Sequence, residues 1–163
     1  MKSVKLAVWI FLLWFSQRLF SGIFEIKGIY PELLFVFSLC YAFLERKTEY
    51  SIWVAVACGL LAEVMSGVGI SLLIYTISVL ILILCMNYIY RDIPLLIIPV
   101  TLMLTFFKES MYYLFNRPLS DSIGFADALK SVVFPVMVYN AATSVFIKKI
   151  LMCTVFSKNK KRR

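Results

Sequence analysis

The sequence predicts an all-α membrane protein, a polytopic bundle of about six transmembrane helices. Three observations predict it. Of 163 residues, 62% are hydrophobic and 16% charged, against about 45–50% and about 25% in an ordinary soluble domain. Mean hydropathy is +0.90. The apolar residues also gather into six runs, most of them near the ~20 residues a helix needs to cross a bilayer. A chain this short folds as one domain. A globule of that size keeps too much surface to hide so much apolar area from water. Disorder is excluded because it needs low hydrophobicity.

The elements follow in order. The first spans residues 4–24 and carries Arg18 near its far end. Lys2 and Lys5 before it imitate a signal peptide. However, Arg18-Leu-Phe-Ser-Gly22 offers no small-residue cleavage site, so a retained helix is expected. The second, residues 29–44, opens with Pro31 and Glu32, and its uncharged run is only 33–44. The third, 51–67, is uncharged only over 50–62. Runs this short fit tilted helices, short helices in thinned bilayer, or re-entrant segments. The fourth, 69–90, is the cleanest; the fifth is 93–115 and the sixth 130–152. The transmembrane domain is thus 1–156, followed by a basic tail, 157–163.

Basic residues orient the bundle. With the N-terminus inside, Lys2, Lys5, Arg46, Lys47, Arg91, Lys148, Lys149 and the five of the tail lie inside, twelve of the seventeen. Arg18, Lys27, Lys108, Arg117 and Lys130 lie outside. The positive-inside rule then places both termini in the cytoplasm. Only the 116–129 loop is long enough to present an outer surface.

The chemistry on offer is sparse. There is no histidine, hence neither the usual general base nor the commonest metal ligand. Cys40, Cys58, Cys85 and Cys153 are isolated in apolar runs and read as buried small hydrophobes. No phosphate-loop or zinc-protease motif occurs. No enzyme activity and no cofactor is expected. The tail reads as a lipid-attracted segment; no nucleic-acid partner is expected.

A few residues are costly in lipid. Ala55, Gly59, Ala62 and Ser66 form one helical stripe of small residues, which favours close helix approach. Glu63 stands beside it, about one turn below the 66–69 turn. Three readings apply: a carboxylate reaching headgroup water, a polar contact to a neighbouring helix, or a proton or ion relay. Lys108 lies about 22 Å along the fifth helix, close enough to the interface to snorkel. Its neighbour Glu109 points about 100° away and is expected to find a different partner. Asn140 sits near mid-membrane after Pro135, which frees the carbonyl of Ser131. A kinked helix with such an amide is expected to bond across to another helix.

One pattern goes further. Pro31-Glu-Leu-Leu-Phe-Val-Phe opens the second span, and Gly59-Leu-Leu-Ala-Glu63-Val-Met-Ser66-Gly67-Val-Gly69 closes the third. Together they resemble the rod shape-determining MreD family. That family has Pro-Asp/Glu-Leu-Leu at the start of its second span and Gly-x-x-x-Asp-x-x-Ser-Gly, then a Gly, at the end of its third. Length, span count, basic tail and the Pro135-Val-Met-Val-Tyr139-Asn140 stretch are similar too. Glu63 departs from the pattern, keeping the charge and adding a methylene. At the level of fold the family also resembles the six-helix substrate-binding subunits of vitamin transporters.

The resemblance implies a non-catalytic subunit of the machinery that elongates the bacterial cell wall. It would lie in the inner membrane, and its expected neighbours are an MreC-like protein, MreB-like filaments and the wall glycosyltransferase–transpeptidase pair. Pro31, Gly59, Glu63, Ser66, Gly67, Gly69, Glu109, Pro135 and Asn140 are the expected structural or partner-contact residues. The alternative is a small-molecule-binding subunit of a transporter. It would need a cavity lined by several polar groups, for which the sequence offers few mid-membrane candidates.

Overall fold

Every residue from 34 to 43 is buried. A helix apolar all round is stable only where protein or lipid surrounds it, and protein surrounds α2 (Leu33–Leu44), which touches all five other helices. The computed structural model describes residues 2–23, 29–67, 69–86, 94–115 and 124–156. Besides α2, these form α1 (Lys2–Ile23), α3 (Thr48–Ser66), α4 (Ser71–Met86), α5 (Ile97–Phe115, after the 3-10 turn Pro94–Leu96) and α6 (Phe125–Thr154). The fold is all-helical. Helix α3 pairs with α4, and α5 with α6. The two pairs meet through α4 and α5, while α1 closes one side against α2 and α3.

The helices alternate in direction. One end, here the Glu32 end, collects the last turns of α1, α3 and α5 and the first turns of α2, α4 and α6. The opposite, Glu45 end holds the first turn of α1 and the last of α6, where Lys5 Nζ donates to the Thr154 carbonyl at 3.5 Å.

Local chemistry sets the boundaries. Helix α2 stops where Glu45 turns to extended backbone; its carboxylate Oε1 accepts from the N–H groups of Arg46 (3.0 Å) and Lys47 (3.4 Å). Helix α3 stops at Gly67, whose φ of 65° is left-handed while its N–H still bonds the Glu63 carbonyl at 2.8 Å. Gly69 repeats the device with φ 80°. Glycine adopts this region without steric cost.

Several details depart from expectation. Helix α2 has 12 residues, about 18 Å at 1.5 Å per residue, so by itself it is shorter than a ~30 Å bilayer core. Helix α6 begins at Phe125 rather than at 130. Before Pro135 it relaxes into a π-helical stretch, Leu129–Val133. Such a local adjustment is one way to accommodate a residue lacking an N–H inside a helix. Cys40 and Cys58 are buried, but Cys85 and Cys153 are exposed, because they fall on outward faces of α4 and α6. The 91–92 loop, most of the 116–129 loop and the basic tail lie outside the described residues.

Helices α3 and α6 are each long and apolar enough to cross a membrane, and about a third of each is buried within the bundle. Outward faces are apolar as well. On α4 the exposed residues Leu73, Ile77, Leu80 and Leu84 follow a four-three-four spacing, opposite the buried Ile74, Ser78 and Leu82. Trp53, Val64, Met103 and Phe146 are each about 70% exposed.

Candidate functional site

The first turn of α2 is enclosed by other helices. Its opening N–H groups have no intrahelical acceptor, and side chains from elsewhere supply two. Asn140 Oδ1 of α6 accepts from the Glu32 N–H at 2.9 Å. Gln17 Oε1 of α1 accepts from the Leu34 N–H at 3.2 Å. Asn140 is fully buried, and its Nδ2 donates to Thr105 Oγ1 of α5 at 3.4 Å. One amide therefore ties α2, α5 and α6 together, the cross-helix bonding its position suggested.

Beside this cap lies a buried ion cluster. Lys108 is 1% exposed, and its Nζ sits 2.6 Å from both oxygens of Glu32 and 2.5 Å from Glu109 Oε1. The Tyr112 ring lies 4.7 Å from the ammonium and the Phe35 ring 5.7 Å. Two sequence expectations are corrected here. Lys108 does not snorkel; it turns inward because Glu32 provides a counter-charge at the end of the short α2. Glu109 does not seek another partner either: both side chains are long enough to curl together despite the ~100° between their Cα–Cβ directions. The cluster holds two acids to one base. The positive N-terminus of α2 offsets part of that excess, being equivalent to about half a charge.

A second joint fixes α3 to α4. A Cβ built on Gly59 would lie 2.8 Å from the Leu72 Cα and 3.4 Å from the Leu72 carbonyl oxygen. The helices therefore touch backbone to side-chain-free backbone. Four residues on, Glu63 Oε2 accepts from the Leu72 N–H at 3.2 Å, capping the first turn of α4. Ser66 Oγ and Ser71 Oγ share a hydrogen bond of 2.9 Å. Gly67 and Gly69 supply the left-handed turn between them.

The joints are connected. The Tyr112 hydroxyl donates to Ser71 Oγ at 2.5 Å, while its ring lies over Lys108. Of the residues singled out, Gly59, Glu63, Ser66, Gly67 and Gly69 thus form one joint. Glu109, Asn140 and the Pro31-Glu32 opening of α2 form the other, and Pro135 stands apart at the π turn. Sequence reading missed the roles of Gln17, Ser71, Thr105 and Tyr112 and treated Glu32 only as a helix opener. A polar residue inside each apolar run was the available signal. It also undercounted the interior: Ser38, Ser78, Thr101, Thr105 and Ser144 are all fully buried.

Between the joints a polar cavity of about 120 Å³ is lined by residues that include Gln17, Glu32, Ser66, Tyr75 and Tyr112. Ligand pockets are ordinarily ~300–1,000 Å³, so this one has room for a few waters but not for a substrate of ordinary size. Among the described residues no cluster of His, Cys, Asp or Glu suits a metal.

Glu63 makes a specific expectation. Gln keeps an acceptor for the Leu72 N–H, whereas Leu keeps none. Glu63→Leu should lower the thermal midpoint in detergent by the equivalent of about 1–3 kcal/mol, the cost of an orphaned buried donor. Glu63→Gln should lie near wild type. Equal melting of both variants would show that the cap contributes nothing.

The class defined by this architecture is an all-helical bundle with two helices able to cross a membrane. No family model, no curated protein and no solved structure matches the chain.

Proposed function

We propose that the chain is a six-span subunit of the bacterial inner membrane that acts as a non-catalytic scaffold in cell-wall elongation. It would influence rod shape by binding an MreC-like protein, with MreB-like filaments and the wall-synthase pair as further neighbours. Membrane embedding is supported by the outward apolar stripes, which would be unstable in water. The short α2 fits such a bundle because protein covers it on every side. The orientation rests on the charge asymmetry described above.

The observation that carries the scaffold reading is where the motif residues fall. Gly59, Glu63, Ser66, Gly67, Gly69, Asn140 and Glu32 all serve helix-to-helix joints. The polar cavity that Glu32 and Ser66 help to line among the described residues is smaller than a ligand chamber. A transporter subunit would need such a chamber among these groups, and the polar cavity there is about 120 Å³.

Purification in mild detergent, with mass spectrometry of co-purifying proteins, tests the reading. An MreC-like protein and wall synthases are expected. Recovery of an ATPase module instead would favour transport. Orientation has its own check, using single cysteines at the exposed Ala126 and Thr48 on a background lacking the native four. An impermeant thiol reagent added from outside should label Ala126→Cys and spare Thr48→Cys until the membrane is opened. The reverse pattern would invert the topology.

A further inference from the structure

Helix α1 packs chiefly against α2 and α3. Between α1 and α3, at the Glu45 end, it leaves a groove of about 670 Å³. That volume falls within the ~300–1,000 Å³ of ligand sites. Leu6 and Ile10 wall one side, and Val54 and Ala57 the other. Trp53 and Tyr50 stand toward the mouth, as amphipathic rings do at membrane–water boundaries.

We propose that this groove seats one acyl chain of an anionic phospholipid, with the phosphate held at Lys47. Charge is the argument for an anionic headgroup. Lys47 lines the groove, its Nζ 5.5 Å from the centre of the Tyr50 ring, and Arg46 beside it is exposed. Lys47 is also the N-cap residue of α3, which has no side-chain cap, so the positive end of that helix faces the same mouth. The described chain ends at Phe156, whose ring lies 5.8 Å from that of Tyr41, itself a groove residue. Five of the seven residues that follow in sequence are Lys or Arg. The neighbouring acids are Glu45 and Glu49. The Glu45 carboxylate is turned toward the Arg46 and Lys47 N–H groups and the Tyr41 hydroxyl, and Lys5, at the same end of the bundle, adds a third base against these two acids. The proposal rests on the membrane reading alone and not on a role in the cell wall.

The chain has three tryptophans, and Trp9→Phe with Trp14→Phe leaves Trp53 as sole reporter. The full chain is reconstituted in phosphatidylcholine vesicles. These contain a minor fraction of either acyl-brominated phosphatidylglycerol or acyl-brominated phosphatidylcholine, which quench by contact. Phosphatidylglycerol should quench Trp53 as though enriched about fivefold, the preference expected of one basic contact. Lys47→Gln should remove most of that excess, as should Ala57→Phe, which fills the groove. Equal quenching by the two lipids, unchanged in these variants, would mean bulk lipid and would overturn the proposal. Quenching of a Trp9-only variant but not of Trp53 would mean that protein, such as a second copy, covers the groove, and would overturn it too. If no tryptophan is quenched by either lipid, the membrane reading falls together with the proposal.

Discussion

Replacing Lys108 by Met should destabilise the bundle by about 3–5 kcal/mol, the usual cost of removing one partner of a buried ion pair. Methionine matches the length and apolar stem of lysine, so packing changes little and the lost charge dominates. Glu32 and Glu109 would then face each other without the ammonium that lies 2.6 and 2.5 Å away in the native bundle. Two carboxylates cannot both stay ionised at such a site without a counter-charge. In a chain of this size each kcal/mol corresponds to about 2–4 °C of melting temperature, so a midpoint drop on the order of 10 °C is expected in detergent. Neutralising the acids should reverse it. The triple variant Lys108→Met, Glu32→Gln, Glu109→Gln should recover much of the loss, because a buried ion cluster is worth little more than a neutral replacement. Non-additivity of that kind identifies a coupled network. A single Lys108→Met variant that melts like wild type would show that the cluster carries no stability.

Gly59→Leu should be the most damaging change on α3. The first added carbon already meets the Leu72 Cα at 2.8 Å, and backbone cannot rotate away as a side chain can. Gly59→Ala is expected to cost about 1–3 kcal/mol, the range for overpacking a tight contact. Leu should exceed it, forcing α3 and α4 apart and breaking the Glu63 cap on Leu72 with them. Ile77→Leu, on the exposed face of α4, is the control and should leave stability within about 0.5 kcal/mol. Folded yield and melting temperature in detergent give the readout. If Gly59→Leu and Ile77→Leu behave alike, close approach of the two helices does not hold the bundle.

Much of the α3–α4 joint was legible because its cause is local. Gly59 and Ser66 share a helical stripe by spacing alone, and Gly67 and Gly69 mark a turn in a short stretch of chain. The position of Glu63 one turn from that turn put a hydrogen bond to the neighbouring helix within reach. The network around Glu32 was not legible. Hydropathy treats Lys108 as a charge near an interface, and the usual geometry of neighbouring residues separates it from Glu109. Neither consideration contains the position of α2. The uncharged run 33–44 did mark the extent of α2; what escaped was why so short a helix is stable, because an apolar run of 12 residues reads as a poor span until its neighbours are known to cover it on all sides.

The sequence by itself determined that this is an all-helical, strongly apolar chain, roughly where its helices run, and that α3 ends at a glycine turn. Hydropathy, helical spacing and the left-handed preference of glycine act within a few residues, so a linear reading captures them. Only the tertiary structure decided which polar groups meet. Glu32 finds Lys108 from 76 residues away, and its N–H finds Asn140 from 108 residues away. Those meetings depend on how far short α2 stops of the end of the bundle and on which faces its neighbours turn toward it. The free energy of buried charge and unpaired backbone is settled there, among five helices at once, and no single segment carries the information.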